Sequence, residues 1–237
     1  MRRILMAVGG ALIAAACSSQ KPVAKLDDSG LAKLNESQME PVDEARIEEG
    51  RAQDALSRAK ANEADARARL EVVKSERAVS EAQLKRAQAE RDLLKKQYAD
   101  KDRMAQVEQE MASSQDALRA TDLKLQYLQQ MIGVAESERK LAEAHVATEQ
   151  ALTERAKYNA MKAGEAPQAA SINPGEVDKR VAEAQGQEAN FRKEAAERRA
   201  NAVDTYNRWQ QADAKARTLA RPSTLTVPPP TGEPTSH

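Results

Sequence analysis

Between residues 42 and 98 the apolar side chains recur at alternating steps of three and four. The series runs from Val42 and Ala45 through Ala52, Leu56, Leu70 and Val73 to Leu84, Ala87, Leu94 and Tyr98, and twelve of its seventeen positions are apolar. A seven-residue period held this long describes a helix that buries one narrow stripe against other helices; a strand would repeat every two residues. Glu49, Glu63, Arg77 and Arg91 fall on the stripe. Charges there weaken a tight dimer and are tolerated where the stripe is only partly covered.

A second series, Met104, Val107, Met111, Leu118, Leu125, Leu128, Ile132 and Ala135, is out of phase with the first. The slip falls at residues 99–103. It reads either as a tight helix–helix turn with Asp102 capping the next helix, or as a stammer inside one continuous helix. A weaker slip follows Gly133, and the stripe then blurs through Leu141, Val146, Leu152 and Met161. Gly164 is expected just past the helix end, with Pro167 beyond it. "SINPGEV", residues 171–177, opens a third helix: Asn173 as cap, Pro174 in first position, Glu176 reaching back, and Ile172 set to pack on Val177. Its stripe includes Val181, Phe191, Ala195, Arg198, Ala202, Trp209 and Ala216.

The fold class expected is therefore all-α, with long coiled-coil helices at about 42–98, 103–163 and 174–220. The simplest closed form is an elongated antiparallel three-helix bundle. The alternative is one helix over 42–163 with a shorter one folded back on it. Charged residues make up 31% of the chain and aromatics 3%, a composition of long helices that bury stripes and not of a large globular core. Pro41 is expected in first helical position, which leaves residues 17–40 as a tether, with a helical domain over 41–221. The Pro-, Thr- and Ser-rich stretch 222–237 reads as a disordered or polyproline tail.

The amino terminus has a different pattern. Arg2 and Arg3 precede an apolar run from Ile4 to Ala16, and Cys17 follows it as the chain's single cysteine. A basic region, a short apolar stretch and a small-residue exit describe a secretory signal over residues 1–16, too short to span a bilayer. Ala14-Ala15-Ala16 fits ordinary cleavage, which would leave Cys17 as a free thiol. Ala14-Ala15-Ala16-Cys17 followed by Ser18-Ser19 also resembles the lipobox of bacterial lipoproteins, with Ala14 where that family usually has leucine. That resemblance implies cleavage before Cys17, lipid such as palmitate on its sulfur and amino group, and, with serine at position 18, sorting to the outer membrane facing the periplasm. Two or more acyl chains anchor stably.

The stretch "EAQLKRAQAERDLLKKQYADKDRM", residues 81–104, resembles the helical hairpins of the periplasmic adaptor proteins of efflux pumps. Those adaptors flank the hairpin with lipoyl-like and β-barrel domains, and no strand-patterned segment is present here to build them. The tail also lacks the terminal lysine by which small outer-membrane lipoproteins attach to peptidoglycan.

Lysine plus arginine equal aspartate plus glutamate at 37 each. Without residues 1–16 the balance is 35 basic to 37 acidic, which does not suggest nucleic-acid binding. His145 has no histidine or cysteine at ligand spacing, and His237 is the last residue. There is no phosphate loop or nucleophile elbow. No catalytic residue, cofactor, metal ligand or small-molecule substrate is expected. The functional expectation is a lipid-anchored coiled-coil scaffold of the bacterial envelope, contacting the membrane through Cys17 and a protein partner or itself through its seams. The alternative is an accessory binding subunit of an envelope transport or secretion complex.

Overall fold

The computed structural model describes residues 26–97 and 100–219. The signal-like segment, Cys17, Tyr98 and the Pro-rich tail lie outside the described residues. Three long helices follow one another: α1 (Glu36–Lys96), α2 (Lys101–Ala163) and α3 (Pro174–Leu219), with short 3-10 turns at Asp28–Gly30 and Pro167–Ser171. No strand occurs among the described residues. At 1.5 Å per residue, α1 and α2 are each roughly 90 Å long and α3 roughly 70 Å.

The chain reverses between α1 and α2, so the single-helix alternative is overturned. The helix cap at this turn is Asp100, not Asp102: its Oδ1 accepts the Arg103 N–H at 2.8 Å. The two helices then run antiparallel along their whole length, from Arg77–Asp122 near the turn to Thr153 against the Ala45 carbonyl near the base. A hairpin wins because it covers two stripes at once, whereas a continuous helix would leave both open to water. Every stripe position from Val42 to Leu94 is buried or half-buried, including the charged ones. Glu63 meets Arg139 at 2.7 Å and Arg77 meets Asp122 at 2.6 Å, so these two seam charges are neutralised by opposite charges on α2, while Arg91 pairs with Asp92 on its own helix.

α1 starts six residues earlier than expected, and Pro41 lies inside it. The reason is a capping box: Asn35 Oδ1 accepts the Gln38 N–H and Gln38 Oε1 accepts the Asn35 N–H, each at 3.0 Å. Pro41, sixth in the helix, forgoes one intrahelical hydrogen bond. Residues 26–40 are accordingly not a tether. Leu31 is buried with Val42, Ala160 and Met161, and Leu26, Leu34 and Ile172 pack around them. At the other boundary, Gly164 (φ −88°) is not the left-handed residue; Glu165 is, at φ 53°. Gly164 is needed for space instead, since a Cβ there would overlap Leu34 Cδ2.

α3 begins at Pro174 as expected, with Asn173 Oδ1 accepting the Gly175 N–H at 3.0 Å. It runs antiparallel to α2, through Glu188 beside His145, Arg199–Glu138 and Lys215–Asp116. Both α1 and α3 pack along α2, and neither packs extensively on the other. This explains why the α2 stripe blurs beyond Gly133: two neighbours cover two of its faces, and buried positions there include Val134, Ser137, Ala144, Thr148 and Ala151. Arg198, expected on the α3 stripe, is exposed and pairs with Glu194.

The bulkiest packing is a node of Tyr127, Tyr206 and Trp209. Tyr127 and Trp209 stack at 5.8 Å with planes 7° apart, and Tyr206 tilts against both. Val73 of α1 belongs to the same cluster, so all three helices meet there. Burial and the neighbouring Tyr206 push the Tyr127 phenol up to about 12. Trp209→Ala is expected to cost about 3–5 kcal/mol. In urea unfolding followed by hydrogen exchange, α3 should lose protection first while the α1–α2 hairpin persists.

Candidate interaction surface

A surface depression is lined by Gln185, Glu188, Ala189, Arg192, Lys193 and Ala196, all on α3, so it is a gap between side chains of one helix. Among the described residues no cluster of three histidine, cysteine or carboxylate side chains is arranged to hold a metal ion. No described helix is long and apolar enough to cross a membrane.

Two buried polar sites have structural roles. At the base of the hairpin, Lys157 lies between Asp28 (2.8 Å) and Glu154 (3.1 Å). Burial pushes the lysine down, but those two carboxylates outweigh it and hold its ammonium above the ordinary range. Glu154 also accepts the backbone N–H of Leu26. Leu26, nine residues after Cys17 in the sequence, is thus tied to α2. Glu154→Ala would remove both ties and leave a buried cation half-partnered. It is expected to lose about 1–3 kcal/mol and to open residues 26–35 to limited proteolysis.

In the carboxy-terminal third of α2, His145 is half-exposed, yet its Nδ1 is buried with no hydrogen-bond partner, 3.5 Å from Glu188 and 3.9 Å from Glu149. Burial raises the Glu149 carboxyl. Glu188, Glu48 and Glu49 add to the rise, and His145 opposes it. A carboxyl raised in the folded state stabilises fully below its unfolded value of 4.5, and that contribution fades as pH climbs through the folded value. Glu149→Gln should therefore raise the melting temperature at pH 7, and the gain should shrink at pH 4 when both proteins are melted in parallel.

The outer face of α1 differs from these interior sites. From Ala61, alternating steps of four and three reach Asp65, Ala68, Val72, Ser75, Val79, Ala82, Arg86, Ala89 and Leu93, and all ten are exposed. Seven are apolar, with Val72 at 47%, Val79 at 57% and Leu93 at 53% exposure. This is a second heptad seam, on the side of α1 away from α2, and nothing among the described residues covers it. α3 carries a thinner outward counterpart of small residues, among them Ala182, Ala189, Ala196, Ala200 and Val203. The α1 seam was visible in the sequence as a second three–four series within one helix. It was missed because the stronger Val42–Tyr98 series alone was followed.

No protein family, curated protein or solved structure matches this chain.

Proposed function

We propose that this chain is a lipid-anchored, coiled-coil scaffolding protein of the bacterial cell envelope, held in the outer membrane through Cys17 and facing the periplasm. The observation that carries the reading is the juxtaposition of Ala14-Ala15-Ala16-Cys17, after a short apolar run, with a rod of three helices roughly 90 Å long. An anchor at one end and an extended body are what a spacer or assembly platform requires. Two seams already satisfied inside the rod leave the outer faces of α1 and α3 to make contacts.

A second reading is an accessory subunit of a transport or secretion complex. It is favoured by the uncovered α1 seam, a surface suited to another helix.

Cys17→Ser tests the anchor. The wild-type protein should fractionate with membranes and show a mature mass raised by acyl chains, and the variant should lose both. An unlipidated wild type released in soluble form would sink the anchoring claim and leave the rod without a fixed end.

A further inference from the structure

The α1 outer seam has a charge pattern that selects its own occupant. Only two of its ten positions are charged, Asp65 near one end and Arg86 near the other. A second α1 laid parallel and in register would set Asp65 on Asp65 and Arg86 on Arg86, and would bring Glu71 towards Glu76 of the second copy. An antiparallel α1 reverses each of these. With Ser75 facing Val79 at the centre, Asp65 lies one helical layer from Arg86 of the second copy, and Val72 faces Ala82. On the flank, Glu71 comes opposite Lys85, and two-fold symmetry makes each contact twice. Glu71 is 69% and Lys85 71% exposed, and each holds only a neighbour on its own helix, Lys74 and Glu81, so both are free to exchange partners. Glu76 approaches its symmetry mate, but Lys124 already neutralises it at 2.8 Å.

We propose that the outer seam of α1, from Ala61 to Leu93, is a self-association surface that pairs two copies of this chain as an antiparallel coiled coil. The proposal stands on α1 and does not depend on the Cys17 anchor. The seam is roughly 48 Å long and a helix about 10 Å wide. Its pairing buries about 1,000 Å² in total, the lower bound for a specific interface, so the dimer dissociates in the micromolar range. The two Glu36 ends then lie at opposite ends of the pair, roughly 120 Å apart. Any anchors they carry would be equally separated.

The test uses the full chain in mild detergent, with sedimentation across micromolar concentrations and crosslinking by a short bismaleimide. Wild type serves as the control for Cys17. A reversible monomer–dimer equilibrium is expected. Ala78→Cys, which faces its own symmetry mate in this register, should crosslink efficiently. Leu93→Cys should not, because the two copies of residue 93 are roughly 48 Å apart. Glu71→Lys should raise the dissociation constant about tenfold by making two like-charge contacts, and adding Lys85→Glu should restore it. Val79→Asp should give monomer with unchanged helical content. Monomer at all concentrations would overturn the proposal. So would crosslinking through Leu93→Cys, or a dimer indifferent to Val79→Asp, which would report shared detergent micelles. A ladder of higher oligomers would also overturn it, by placing the α3 stripe on the seam.

Discussion

The constraint from which this architecture follows is the smallness of alanine. The α1 stripe carries five alanines and four charges among its seventeen positions, so it removes little surface from water per heptad, and hydrophobic stabilisation scales with that area. A pair of such helices is therefore weakly held. The chain gains stability by length and by giving α2 two partners at once. α2 has the largest share of buried residues, including Tyr127, Leu128, Val134, Ala151 and Met161, while α1 buries only Val42, Ala52, Val73, Ala87 and Leu94. The large side chains are concentrated where the third helix docks. The aromatic node does at one point what many alanine layers do along the rod.

A smooth alanine seam has a second weakness: it barely specifies register, since sliding one helix past another by a heptad costs little. The cross-helix ion pairs supply what the seam lacks. Glu63–Arg139, Lys124–Glu76 and Arg77–Asp122 join α1 to α2, and Arg199–Glu138 and Lys215–Asp116 join α2 to α3. Burial pushes the Glu63 carboxyl up, yet Arg139 and Arg67 hold it below the ordinary range. The ionised pair is thus favoured where it stands. Exposed pairs of this kind add little stability singly, but a one-heptad slip would break every one of them together.

How much of this was legible depended on whether the signal was local or shared. The stripe from Val42 to Leu94 and the start at Asn173-Pro174 were readable, because heptad period and capping are properties of a few adjacent residues. The early start of α1 was hidden because Pro41 outweighed the Asn35–Gln38 box, although the box is the stronger determinant in the fold. The packing of Leu31 on Met161 joins residues 130 apart, and no local pattern announces it. The loss of period after Gly133 was visible but ambiguous. A helix with two covered faces mixes two stripes, and the mixture resembles noise until the second partner is known. Cys17 stays a sequence-based assignment, since it lies outside the described residues.

The same reasoning extends to the outside of α1. Outward positions of solvated helices are usually polar or charged, and the flanks of this face carry Glu71, Lys74, Lys85 and Asp92. Between Ala61 and Leu93 the outermost face does not follow that pattern. It retains Val72, Val79 and Leu93 at multiples of seven residues, where lysine or glutamate would give better solubility and equal or higher helix propensity. A single exposed valine needs no account. Val72 and Val79 between Asp65 and Arg86, with Leu93 one heptad beyond, form a periodic pattern matched to another helix. Inside the rod the chain solves the weakness of small-residue seams by doubling the contacts of α2. An antiparallel second copy would apply the same solution to α1 and turn a marginal hairpin edge into an interior.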